Sequence, residues 1–176
     1  MTVDKSKFDL LIERILAHEG DCVVDTGATS FLPMMTYLKQ NEVIEFLQST
    51  GRRVILHAPL VGGQAMDETV RGLGSILEFK TAEVVVWENE FFGPVIKNGV
   101  GFVQSPLYKE YMERVIGIVR IAQRDSDTFG KDLANMTTRR LTFSDALESS
   151  EFMVMSRQRL TMVRRETFHQ LDRVGL

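Results

Sequence analysis

A single cysteine, Cys22, is all the thiol chemistry the chain has, so no disulfide can form within it and a reducing compartment fits. The three histidines, His18, His57 and His169, lie far apart without the spacing of metal ligands. No apolar run approaches the ~18 residues that cross a bilayer. The opening Met1-Thr2-Val3-Asp4-Lys5 is polar and lacks the apolar centre of a secretory signal. These absences predict a cytoplasmic protein. Charge of one sign is lacking too: 21 Lys and Arg stand against 24 Asp and Glu, a net −3, which offers no global attraction to nucleic acid or to an anionic membrane. No internal repeat, low-complexity tract or Pro/Ser-rich linker divides the sequence.

What is present is ample apolar material. With 176 residues and 44% hydrophobic content, the chain can build one well-buried domain spanning 1–176. Phe8, Leu11, Ile12, Ile15 and Leu16 mark one face of an opening helix, with Ser6 and Asp9 spaced as a capping box. A short strand is expected at Cys22–Asp25, with Cys22 a small buried hydrophobe within it. Asn41 is placed to cap a helix through Val43, Ile44, Phe46 and Leu47, and Gly51 to end it. Strands are expected at Arg53–His57, Glu83–Trp87 and Val115–Ile121, and Met66, Val70, Leu73, Ile76 and Leu77 describe an amphipathic helix. Residues 124–176 read as mainly helical. Continuous β-branched runs separated by helices indicate a three-layer α/β fold, a mostly parallel sheet with helices on both faces.

Chemistry in such a sheet collects at the carboxyl ends of the strands. Asp25 would close the first strand there, followed by Thr26, Gly27, Thr29 and Ser30. An acid so placed can hold magnesium or orient a water beside a phosphate, or simply cap a turn. His57 and then Gly62-Gly63-Gln64 fall after the next strand; the glycines serve either an anion-binding helix start or a tight turn. Trp87-Glu88-Asn89-Glu90-Phe91-Phe92-Gly93-Pro94 crowds an amide, acids and aromatics at the third strand end. Asn89 can read a base edge, since an amide offers donor and acceptor, while the aromatics can instead anchor the loop. A Ser30-His57-Asp25 triad lacks a Gly-x-Ser-x-Gly elbow. Arg139, Arg140, Arg157, Arg159, Arg164 and Arg165 are interleaved with Glu148, Glu151 and Glu166, the pattern of a solvated helical face or of a surface for an acidic partner. Met153, Met155 and Met162 read as adaptable packing around the apolar side formed by Leu160, Val163, Phe168 and Leu171.

Several segments in order resemble the conjugal transfer protein TraL family. They are Phe8-Asp9-Leu10-Leu11-Ile12-Glu13, Glu19 through Phe31, Gly62-Gly63-Gln64-Ala65, Asn89 through Pro94, Arg140 through Leu147 and Met155 through Leu160. That family is plasmid-encoded and is similar to the ParA/MinD-type P-loop ATPases. The resemblance implies ATP and magnesium as cofactors, with Asp25 acting on the metal or the attacking water. Thr26, Gly27 and Thr29 would lie in the loop that responds to the γ-phosphate, and Asn89 would help recognise adenine.

The chain departs from those ATPases at one point: it contains no Gly-Lys-Ser/Thr phosphate loop, and its sole Gly-Lys pair, Gly130-Lys131, precedes Asp132. The resemblance therefore implies a P-loop-like fold incomplete at its N-terminus, with an unpaired edge beside the Cys22 strand that invites self-association, a homodimer included. Without the phosphate cradle, this chain is not expected to hydrolyse ATP by itself. Three functions compete: a nucleotide-binding component of plasmid transfer, a non-catalytic module docking on a conjugation-apparatus protein, and a small-molecule enzyme with a crevice around Asp25, His57 and Asn89.

Overall fold

The computed structural model describes residues 6–176; the polar opening and the side chain of Ser6, half of the expected capping box, lie outside what it describes. It is a mixed α/β structure with a three-stranded parallel sheet flanked by helices. The chain divides into two compact units, one made of residues up to Leu56 together with Gly74–Glu83, the other of His57–Leu73 and Val84–Leu176.

The first unit is helical. Helices α1 (Ser6–Ala17), α2 (Ala28–Gln40) and α3 (Val43–Ser49) bury Phe8, Ile12, Met34, Leu38, Ile44 and Leu47 in a common core. Tyr37 packs on Phe8 with ring centroids 5.2 Å apart, and its hydroxyl donates to Asp9 Oδ1 at 2.6 Å. Helix α2 has no counterpart in the sequence expectations, and it reassigns Asn41. That residue is the C-cap of α2, its Nδ2 donating to the Tyr37 carbonyl, whereas α3 starts from Glu42 in a left-handed conformation. Gly51, with φ of +85°, closes α3 as expected.

The expected Cys22–Asp25 strand is not formed. Residues 21–27 adopt neither helix nor strand; Cys22 is an exposed thiol and Val23 is 97% exposed. Three apolar residues hemmed by Asp21 and Asp25 bury too little surface to offset the cost of ordering an extended backbone. The unpaired sheet edge expected beside Cys22 falls with that strand.

The second unit carries most of the sheet. Its elements are β1 (Ile55–Val61) from His57 on, α4 (Met66–Leu77) as far as Leu73, β2 (Glu83–Asn89) from Val84 on, hairpin arms β3 (Ile96–Lys97) and β4 (Val100–Gly101), α5 (Pro106–Tyr111) and β5 (Val115–Ile121). The order is β1-β2-β5, with β2 and β5 parallel and Glu88 level with Arg120. Gly62 N–H, just past the end of β1, donates to the carbonyl of Asn89 at the end of β2, so these strands also run the same way. Val84, Val85, Val86 and Val119 are wholly buried, which explains the uninterrupted β-branched run in the middle strand.

Strand β1 runs four residues beyond its expected end at His57. Ala58 and Leu60 are buried while His57 and Pro59 are exposed, and Pro59, lacking an N–H, is tolerated because β1 is an edge. The β3–β4 hairpin turns on Asn98 and Gly99, both at positive φ, the requirement of a two-residue type I′ turn.

Beyond β5 the chain is helical, as expected: a π-helical turn (Ser126–Gly130), then α6 (Lys131–Thr138), α7 (Phe143–Glu148) and α8 (Val154–Val174). Met136, Ala146, Phe152 and Leu160 form their common core. A capping box starts α7, with Thr142 and Asp145 exchanging side-chain to backbone bonds. Helix α8 then packs along β5. Val174 fills the space over Gly117, where a Cβ would lie 2.2 Å from Val174 Cγ2. The Gln170 amide binds the outer edge of β5 twice, its Oε1 accepting from Arg120 N–H at 2.8 Å and its Nε2 donating to the Arg120 carbonyl at 3.1 Å.

Candidate functional site at the carboxyl edge of the sheet

The carboxyl ends of β1, β2 and β5 bring together Gly62-Gly63, the Asn89–Pro94 loop and the segment from Arg120 to Asp125. A close approach of main chains explains the two glycines. A Cβ on Gly62 would sit 2.0 Å from the Gly93 carbonyl oxygen, and one on Gly63, at φ +68°, 2.6 Å from that of Phe92. Side chains at these two positions are excluded by the opposing backbone, and Gly62 N–H is already donated to the Asn89 carbonyl. Thr69 reinforces the turn, its hydroxyl accepting from Val61 N–H and donating back to the Ala65 carbonyl.

Asn89 is half-buried at the end of β2, and its Oδ1 accepts from Phe91 N–H at 3.0 Å. The acceptor that would read a base is therefore engaged in an Asx turn. Phe91 and Phe92 meet edge to face at 4.8 Å and remain exposed.

Glu90 is the electrostatic centre. Its side chain is 12% exposed, and Oε1 accepts from Arg120 Nε at 3.0 Å and Nη2 at 2.6 Å. Its backbone N–H donates to the carbonyl of Ile121, closing the sheet end. Within β2, burial pushes the Glu88 carboxyl above the usual carboxylate range, although Arg120 pulls it the other way. At the end of β5, Asp125 accepts from the N–H and hydroxyl of Thr128, which hold its carboxyl below the usual range.

His57 is a mid-strand residue and not part of this rim. Its Nδ1 accepts from Trp87 Nε1 at 2.9 Å, and desolvation of the ring lowers its pKa despite the residue's open side. It precedes Gly62 by five residues along a strand, about 16 Å at ~3.3 Å per residue, so it and Asn89 do not share a ligand atom. Asp25, Thr26, Gly27 and Thr29 belong to the first unit. Asp25 is exposed in the irregular segment, Gly27 is the N-cap of α2, and Thr29 lies in the helix's first turn.

Several of the C-terminal arginines are structural. Arg159 Nε binds Asp132 at 2.6 Å with both side chains largely buried, and Arg157 Nη2 donates to the Ser149 carbonyl. Phe129 lies within cation–π distance of Arg124 and Arg159. Met153, Val154 and Met155, by contrast, stand 79%, 79% and 61% exposed at the start of α8.

Sequence reasoning missed the Glu90–Arg120 pair and the β3–β4 hairpin. Arg120 was legible as the one charge inside an apolar strand, and Asn98-Gly99 between β-branched residues as a hairpin turn. Among the described residues, no cluster of His, Cys, Asp and Glu is arranged to hold a metal ion, and no helix is long and apolar enough to cross a membrane.

No family model matches the chain, and no solved structure matches it significantly. Two curated relatives do, both from Escherichia coli and both named Protein TraL. One is 38% identical over 176 residues, 99% of this chain and 73% of the relative; the other is 38% identical over 172 residues, 97% and 71%. Identity at that level, sustained over nearly all of this chain and more than two thirds of each relative, places it: the chain belongs to the TraL family.

Proposed function

We propose that this chain is a cytoplasmic component of plasmid conjugal transfer that works by binding a protein of the transfer apparatus, without turning over nucleotide by itself. The observation that carries this reading is the closed carboxyl edge of the sheet. The backbone of Phe92 and Gly93 lies where side chains on Gly62 and Gly63 would be, and Glu90, Asn89 Oδ1 and Asp125 already accept from neighbouring groups. An apolar cluster at the start of α8, Met153-Val154-Met155, supports partner binding, because monomeric surfaces seldom leave such side chains adjacent and uncovered. A mating assay on a deletion strain complemented with variants tests the proposal. Met153→Asp with Met155→Asp is expected to abolish transfer with unchanged thermal melting, while Asp25→Ala is expected to complement fully. Full transfer by the Met153/Met155 variant overturns it.

A nucleotide-binding role, through kinship with ParA/MinD-type ATPases, is the second reading. What supports it is the lead from Asp25, Thr26 and Gly27 into the amino end of α2, which has no side-chain cap and no acid in its first turn, a geometry that favours anions. On this reading Thr29 and the α2 amino end hold phosphate and Asp25 holds magnesium, all within the first unit. Calorimetric titration with MgATP distinguishes the two readings: saturable binding lost in Asp25→Ala favours the second, and no heat of binding favours the first.

A further inference from the structure

A cavity of about 380 Å³ lies within the second unit, bounded by β1, α4, the β3–β4 hairpin and the start of α5. Leu60, Val70, Leu73, Phe102 and Leu107 give it an almost wholly apolar lining. Lys97, on the hairpin, is the one charged residue on that lining, and its Nζ binds Asp67 Oδ1 at 2.6 Å. Both partners are open to solvent, 48% and 70% exposed, so the pair can be exchanged at little cost. Ser105 also lines the cavity; its Oγ accepts from Tyr108 N–H, which leaves the hydroxyl proton to donate elsewhere.

An apolar chamber with one exchangeable cation at its boundary fits one class of guest. We propose that it binds a small amphiphilic carboxylate, with a hydrocarbon chain against Val70, Leu73 and Phe102 and a carboxylate that takes Lys97 from Asp67. At ~30 Å³ per heavy atom the volume accommodates about a dozen atoms, which suits a chain of roughly eight carbons. The volume falls within the range of natural ligand pockets. The type I′ turn at Asn98-Gly99 holds Lys97 on a short, stiff arm, so the cation is presented to the guest without ordering a long loop.

Sodium octanoate, titrated into the full chain by NMR shift perturbation and calorimetry with 1-octanol in parallel, tests the proposal. Saturable one-site binding of octanoate is expected, with shifts at Val70, Val100 and Leu107. Asp67→Asn removes the competing carboxylate and should tighten octanoate by about two- to fivefold, whereas Lys97→Gln should weaken it by a similar factor. Neither exposed change should alter the affinity for 1-octanol. Val70→Phe, which fills the chamber, should abolish binding of both. The two surface variants decide the question even if Val70→Phe misfolds. Unsaturable or many-site binding, no binding, or equal octanoate affinity in the wild-type chain, Asp67→Asn and Lys97→Gln would each overturn it.

Discussion

Replacing Gln170 isolates the device that closes the free edge of β5. Its amide supplies both a donor and an acceptor to Arg120, as a neighbouring strand would. Gln170→Leu keeps the size and removes both bonds to Arg120, together with the longer Nε2 bond to the Glu166 carbonyl within the helix. Each is worth about 1 kcal/mol net, and water reaches this edge, so the expected loss is about 1–3 kcal/mol. In a chain of this length each kcal/mol lowers the melting temperature by about 2–4 °C. Hydrogen exchange at the Arg120 amide gives the local reading and should accelerate more than that of the buried Val86.

Gln170→Glu sharpens the test. The introduced carboxylate can still accept from Arg120 N–H but opposes the Arg120 carbonyl, whereas its protonated form can donate to it. Its folded-state pKa is thus raised above the ordinary ~4.3. The stability it confers is present below that value and lost as pH rises through the higher folded value. Gln170→Glu should therefore approach the wild-type chain near pH 4 and fall below it at pH 7. Unchanged Arg120 exchange and melting in Gln170→Leu would refute the idea that this side chain stands in for a strand.

Three further outcomes follow from the packing. Gly117→Ala should cost about 1–3 kcal/mol by forcing a methyl into Val174, and Val174→Ala in the same chain should recover part of it in a double-mutant cycle by urea unfolding. Tyr37, whose hydroxyl donates to Asp9, has its pKa pushed up to about 12, so its stabilisation is present below pH 10 and lost as pH rises toward 12; Tyr37→Phe should lower stability by about 1–2 kcal/mol at pH 7 and show a shallower alkaline decline. Desolvation lowers the pKa of His57, so its contribution is lost as pH falls through the ordinary ~6.5 and below; emission from Trp87, the sole tryptophan, should report the broken ring–ring bond with a midpoint under that value, and His57→Phe should remove the transition.

Period and residue type made the sheet and α4 legible. Met66, Val70, Leu73 and Leu77 recur at helical spacing and form α4, and the β-branched run at Val115–Ile121, broken only by Gly117 and Arg120, is β5. The same logic failed at Cys22-Val23-Val24, because a run that short fits a strand and an exposed connector equally well and its sequence does not reveal whether a neighbour exists to pair with it. His57 was placed at a strand end, whereas β1 continues through Pro59, which an edge position tolerates. The α2 helix was obscured by its small, hydroxyl-rich start and by Pro33 inside it. Of the candidate site, the glycines and Asn89 could be located from sequence, but what fills the space beside them could not. The approach of Gly93 to Gly62 and the pairing of Glu90 with Arg120 join residues some 30 positions apart, and such contacts leave no mark on local pattern.

Helix α8, with 21 residues, is about 31 Å long at 1.5 Å per residue. Near one end Leu160 is locked among α6 and α7; near the other, Gln170 and Val174 grip β5. A rod anchored at both extremities transmits displacement. A protein that seized the exposed methionines at its head and tilted it by a few degrees would shift the Gln170 amide by an ångström or more, enough to loosen its hold on the strand. Docking at one end of this unit would then be felt, mechanically, as the unzipping of a sheet margin at the other.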